Sequence, residues 1–307
     1  MLGQIIEISG EGRRLSMERG FLKVAGPDGP LGQAPLDDIE ALIISHLAAS
    51  LSTQAIAALM SRGTPIVVSG ADFRPCAMLL PLDGHYAQGD RLQAQIEASL
   101  PTLKRLWAEI VRAKITAQAA ALTRAGVDAG PVAALVARVH SGDPDNLEAQ
   151  AAQRYFPLLY GKEFRRNRNA EGTNAFLNYG YTVLRAAAAR ALVAGGLHPS
   201  LALKHKSRGE ALRLADDVME PFRPAVDLIA FDLTCENETE LTPANKRRLA
   251  AVLHADYDTI EGRATLSTVL TRMAQSLAAV YLGTRKTLAL PLSPLPVGAI
   301  AIVEEEE

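Results

Sequence analysis

Three places in the 307-residue chain carry residue types suited to divalent-cation chemistry. Glu148 lies in the Ala-rich stretch Asn146–Phe156, where Ala151 and Ala152, at i+3 and i+4, leave its helix face uncluttered. His205 sits in Leu203-Lys-His-Lys-Ser-Arg-Gly209, a loop between two helical stretches, and histidine is a common metal ligand. Asp216, Asp217 and Glu220 fall within one helical turn, so they repel one another unless a cation or a basic group neutralises them. Pro221 has no N–H to donate, which frees the Asp217 carbonyl and allows a kink that re-aims the preceding carboxylate. Two carboxylates and an imidazole suit Mg²⁺ or Mn²⁺, either of which can polarise a phosphodiester and stabilise its leaving oxygen. Spacing alone leaves the alternatives open: a surface glutamate, an exposed basic loop and a solvated acidic stripe.

Basic residues cluster near the same places. Lys162, Arg165, Arg166 and Arg168 occupy seven residues flanked by Tyr155, Tyr160 and Phe164, and Lys204, Lys206 and Arg208 bracket His205. Lys104, Arg105, Arg112 and Lys114 share one long helix, and Lys246, Arg247 and Arg248 start another. Phosphate contacts need such patches, although each run also describes an ordinary solvated face. The remaining histidines, His46, His85, His140, His198 and His254, are read as structural.

The elements that must position these residues divide in two. The expected fold class is α+β: a small β-rich domain over residues 1–85, then a larger all-α domain over 86–307. Strands are expected at Gln4–Ser9, Arg14–Met17, Phe21–Val24, Ala41–Ser45, Pro65–Val68 and Ala77–Leu80, from β-branched content and alternation. Ala25–Leu36, rich in Gly and Pro, reads as a loop, and Ser52–Arg62 as a helix capped by Ser52 or Thr53 and stopped by Gly63. Beyond a linker at Pro81–Asp90, helices are expected near 91–99, 102–125, 129–141, 145–157, 173–194, 210–227, 243–255 and 261–281. The formal net charge is −2, so a nucleic-acid surface must be local rather than global. Two cysteines, Cys76 and Cys235, make neither a disulfide framework nor a Cys-rich zinc site. The early acids Glu7 and Glu11 break any signal-peptide run, and no stretch is long and apolar enough for a membrane span. A cytoplasmic protein is expected.

Several strings together resemble the CRISPR-associated endonuclease/integrase family, the spacer-adaptation enzymes, in its type II-like variant. They are Glu171-Gly-Thr-Asn-Ala-Phe-Leu-Asn-Tyr-Gly-Tyr181, Gly195-Gly-Leu-His-Pro199, His205, and Leu214-Ala-Asp-Asp-Val-Met-Glu-Pro-Phe-Arg-Pro-Ala-Val-Asp227. Leu106-Trp107, Lys114-Ile-Thr-Ala-Gln118 and Arg19-Gly-Phe-Leu-Lys-Val24 fit the same resemblance, which spans nearly the whole chain. It implies a catalytic metal site of Glu148, His205 and Glu220 holding Mg²⁺ or Mn²⁺ in the helical domain, with Asp217 as an orienting neighbour. Ala149 stands where other members often carry Gly after the first Glu. The resemblance further implies a homodimer joined to a dimer of a small CRISPR-associated partner protein through contacts of the β domain. Double-stranded DNA, as prespacer and CRISPR repeat, would lie on Arg165, Arg166, Arg168, Lys204, Lys206 and Arg208. The implied reaction is transesterification, in which a prespacer 3′-hydroxyl attacks the repeat.

Three other readings compete. A metal-dependent nuclease or resolvase acting on branched DNA would use the same ligands with water as nucleophile. A non-catalytic DNA-binding scaffold of the same fold would leave the ligands unconverged. A helical interaction module unrelated to DNA explains the Ala/Leu pattern but leaves the joint occurrence of the motif strings to chance.

Overall fold

The computed structural model describes residues 4–70, 75–167, 170–204 and 211–298. The chain forms two compact units that divide between Gln88 and Gly89, within the Pro81–Asp90 segment.

The first unit contains β1 (Gln4–Ile8), β2 (Arg14–Glu18), β3 (Phe21–Gly26), β4 (Gly29–Pro35), β5 (Ile39–Ile44), β6 (Ser50–Leu51), α1 (Thr53–Met60), β7 (Ile66–Ser69) and β8 (Pro75–Leu79). One sheet has the order β1-β5-β7-β8 and the other β4-β3-β2-β6. β1, β5 and β7 run parallel, with β8 antiparallel at the edge. The near-continuous apolar runs of β5 and β7 suit parallel strands covered on both faces. Both sheets and α1 contribute to one buried cluster that includes Ile8, Leu15, Leu22, Leu42, Leu59 and Ile66. The Ser52 hydroxyl caps α1 by accepting from the Ala55 N–H at 3.2 Å, and Gly63, at φ +72°, follows its end.

The expected loop at 25–36 is instead largely strand. β4 pairs with β3 alone, so Pro30 and Pro35 sit on an edge strand, where a missing N–H breaks no ladder.

The second unit contains α2 (Gln88–Ile96), α3 (Leu100–Arg124), α4 (Gly130–Ala133), α5 (Leu147–Tyr160), α6 (Thr173–Ala194), α7 (Arg213–Met219), α8 (Arg223–Cys235), α9 (Pro243–Ala250), β9 (Asp256–Thr259), β10 (Gly262–Thr265) and α10 (Leu266–Tyr281). Three helical expectations need correction. The helix expected over 210–227 is α7, a 3₁₀ turn at Glu220–Phe222, then α8, because Pro221 and Pro224 cannot donate backbone bonds. The freed Asp217 carbonyl accepts from the Glu220 N–H. The start of the helix expected at 261 is an antiparallel ribbon of β9 and β10 turning at Gly262, φ +98°. The stretch 129–141 holds only the short α4 and a 3₁₀ turn.

Alanine lets the helices approach closely. A Cβ at Gly180 of α6 would meet Val226 Cγ1 of α8 at 2.4 Å, so glycine is required there. No helix among the described residues is long and apolar enough to cross a membrane.

Candidate metal centre

The two expected carboxylate ligands meet. Glu148 opens α5 and Glu220 opens the 3₁₀ turn between α7 and α8, and both bond one residue of α3, Lys114. Lys114 Nζ donates to Glu148 Oε1 and pairs with Glu220 Oε2 at 2.5 Å. The Arg223 guanidinium, one helical turn on, reaches Glu220 Oε1 at 3.1 Å. The Glu220 and Lys114 side chains are almost wholly buried, at 5% and 7% exposure, while Glu148 retains 21%. Burial alone would lower the Lys114 pKa, but Glu220 and then Glu148 outweigh it and hold it above the ordinary lysine value.

Glu148 is fixed from behind. Asp143 lies just before α5, and its two carboxylate oxygens accept from the N–H groups of Leu147 at 2.9 Å and Glu148 at 3.1 Å. That cap sets the first turn of α5 and therefore the direction of Glu148.

The acid cluster of the third stretch is resolved by three separate partners. Asp216 pairs with Arg185 of α6 at 2.7 Å, and Glu220 with Lys114 and Arg223. Asp217, fully buried, accepts through Oδ2 from the backbone N–H groups of Leu203 at 2.7 Å and Lys204 at 3.1 Å. Asp217 therefore ties down the chain leading to His205. His205 itself, with Lys206, Arg208 and Arg168, lies outside the described residues. Among the described residues, no three His, Cys, Asp or Glu side chains form a metal-holding group. The two carboxylates do fit a divalent ion, because they are hard oxygen donors already gathered around one positive charge.

The expected DNA contacts divide. Arg165 is exposed and donates to the carbonyls of Lys162 and Phe164. Arg166 turns inward, donating to Asn174 Oδ1 at 2.9 Å and Asn178 Oδ1 at 2.7 Å, with its guanidinium over the Tyr181 ring. Lys204 Nζ donates to the Gly142 carbonyl at 3.0 Å. The aromatics flanking the 162–168 run pack on one another: Tyr160 lies 4.6 Å from Phe164, centroid to centroid, and Tyr155 is fully buried. On α3, Arg112 donates to the Val139 carbonyl and Lys114 is interior, so these two do not extend a surface patch.

Lys114, which the charge runs place in a basic surface cluster, is interior and paired with both carboxylates. Position on the helix carries the signal: Leu106, Ile110, Lys114 and Gln118 repeat at i+4, all four are buried, and a lysine on that stripe needs an anionic partner.

An α+β chain of two units, whose helical unit gathers two carboxylates and a buried lysine, is the class of protein defined so far. Its family follows from the comparisons. The family model described as CRISPR associated protein Cas1 matches residues 6–257. The CRISPR-associated endonuclease Cas1 of Neisseria meningitidis serogroup C (strain 8013) is 39% identical over 247 residues, covering 79% of this chain and 81% of that protein. The chain belongs to the Cas1 family. Two solved structures share the fold. A casposase bound to integration product has TM-score 0.77 at 19% identity, covering 93% of this chain and 92% of its own. A Cas6-RT-Cas1–Cas2 complex has TM-score 0.73 at 17% identity, covering 94% of this chain and 36% of that longer one.

Proposed function

We propose that the protein is a DNA endonuclease/integrase of CRISPR adaptation that joins prespacer 3′-hydroxyl ends to the repeat of an array by transesterification. The observation that carries this reading is the convergence of Glu148 and Glu220 on Lys114 in a chain of the Cas1 family. Glu148, Glu220 and His205 would hold Mg²⁺ or Mn²⁺. The ion, when bound, supplies polarisation of the scissile phosphate and stabilisation of the leaving 3′ oxygen.

The chain's own residues do the positioning. Asp143 directs Glu148, Lys114 and Arg223 hold Glu220, and Asp217 anchors the backbone before His205. One phosphodiester replaces another, so no nucleotide hydrolysis is needed. Exposed cations such as Arg165 would contact the DNA backbone, and so would Arg168, Lys206 and Arg208. The assembly we propose is a homodimer joined to a small partner-protein dimer on double-stranded DNA, in the cytoplasm. Supporting it, two structures of this fold are named for an integration product and for a Cas1–Cas2 complex.

The test uses the purified protein with a labelled branched DNA that mimics the strand-transfer product. Mn²⁺ or Mg²⁺ should release the joined strand, and chelator, Glu220→Gln or His205→Ala should abolish release while circular dichroism stays unchanged. Release that persists in chelator, or undiminished in both variants, would overturn the metal-site reading.

A further inference from the structure

We propose that Lys114 is the internal counter-cation of the Glu148–Glu220 pair, and that a divalent ion binds this pair only by displacing its ammonium. Lys114 then sets how tightly the protein holds metal. The proposal rests on the reading of these two carboxylates as ligands.

The argument is one of charge and space. Two carboxylates face one ammonium and one guanidinium, Arg223, so this buried group is neutral without a metal. Lys114 Nζ contacts one oxygen of each carboxylate, the position from which a single cation bridges them. A divalent ion held by the same two oxygens would need the place that Nζ occupies. Two cations cannot share that place in a poorly solvated interior.

The ammonium has somewhere to go. Lys114 carries four methylenes, so its head can swing without moving the 25-residue α3. Gln118 is its i+4 neighbour on the same face, and its buried Oε1 has no hydrogen-bond partner among the described residues. That oxygen is an acceptor for a displaced ammonium.

The consequence runs against the usual effect of removing a buried partner. Deleting the ammonium should weaken the metal-free fold and strengthen metal binding, because the carboxylates then have no competing cation. A purely structural lysine would weaken both.

The experiment is calorimetric titration of the full-length protein with MnCl₂, without DNA, alongside thermal unfolding with and without Mn²⁺. Lys114→Met should bind Mn²⁺ at least about tenfold tighter than wild type. It should also melt lower in chelator and show the larger rise in Tm on adding Mn²⁺. If Lys114→Met does not fold, Lys114→Gln, which keeps a donor between the carboxylates, should show the same gain in affinity. Equal or weaker Mn²⁺ binding in the folded variant would overturn the proposal. Glu148→Gln and Glu220→Gln, run in both backgrounds, separate the two failures. If they abolish Mn²⁺ binding while the lysine variant gains nothing, the ligand reading stands and the displacement idea falls. If they leave Mn²⁺ binding unchanged, the ligand reading falls and takes the proposal with it.

Discussion

Asp227 shows how much a single enclosed carboxyl changes the pH behaviour of this fold. It sits on α8 with 1% exposure, receives the Tyr181 hydroxyl on Oδ1, and takes the Tyr160 hydroxyl on its backbone carbonyl at 2.6 Å. Burial raises its pKa from 3.8 to about 6, even though the hydroxyls of Tyr181 and Tyr155 and the charge of Arg223 pull the other way. A carboxyl that binds its proton more tightly when folded stabilises the fold while protonated. That contribution is fully present below the unfolded value of 3.8 and is lost as pH rises through about 6. Asp227→Asn keeps an acceptor for Tyr181 and cannot ionise. Relative to wild type it should therefore gain about 2 kcal/mol between about pH 4 and about pH 7. Urea unfolding of both proteins at those two pH values checks this, and parallel pH profiles would show that Asp227 does not carry the shift. The sequence displayed Asp227 only as the end of a motif string. The resemblance singles out Glu148 and Glu220, which converge in the structure, whereas the Lys114 that joins them is hidden among basic residues, because charge counting ignores which helix face a lysine occupies.

Helix α5 depends on a residue outside it. Its N-cap position, Asn146, lies in the left-handed region at φ +52° and makes no side-chain cap bond. Asp143, itself at φ +48°, supplies both acceptors instead, and the two amides it caps include that of Glu148. Asp143→Ala should cost about 1–2 kcal/mol, at the upper end for a cap because Asp143 is buried. It should also reduce the Mn²⁺-induced rise in Tm, since Glu148 loses its fixed starting direction. An unchanged Tm in thermal unfolding would remove Asp143 from the account of both stability and site. Legibility at this scale followed local chemistry. The span 173–194 is read as it folds, because Gly172 and Gly195 flank a long Ala/Leu run. β4 is illegible locally because pairing with β3, not its own Gly- and Pro-rich sequence, holds it extended. The β9–β10 ribbon is hard to read from sequence because its strands are four residues each and its one turn signal, Gly262, sits within an apparently helical stretch.

At the scale of the whole molecule, a net charge of −2 means that the proposed DNA substrate would be held by a local field rather than by the protein at large. The basic run at 162–168 reads in sequence as one patch, yet Arg165 and Arg166 differ in the structure, because neighbours in a loop can face opposite ways. Arg165 is exposed; Arg166 is spent on Asn174, Asn178 and the Tyr181 ring, so it fastens the loop to α6. The two should separate on substitution. Arg165→Ala should lower DNA affinity and reduce the slope of log affinity against log salt by about 1, with Tm unchanged. Arg166→Ala should instead lower Tm by several degrees, consistent with about 1–3 kcal/mol for charge-assisted bonds left unmade. Any loss of DNA binding there would arise by loosening the loop, not by removing a phosphate contact. Fluorescence anisotropy across a salt series, paired with thermal unfolding, distinguishes them. A salt slope that falls with Arg166→Ala and holds with Arg165→Ala would reverse the assignment and place the DNA track on the inner face of the loop.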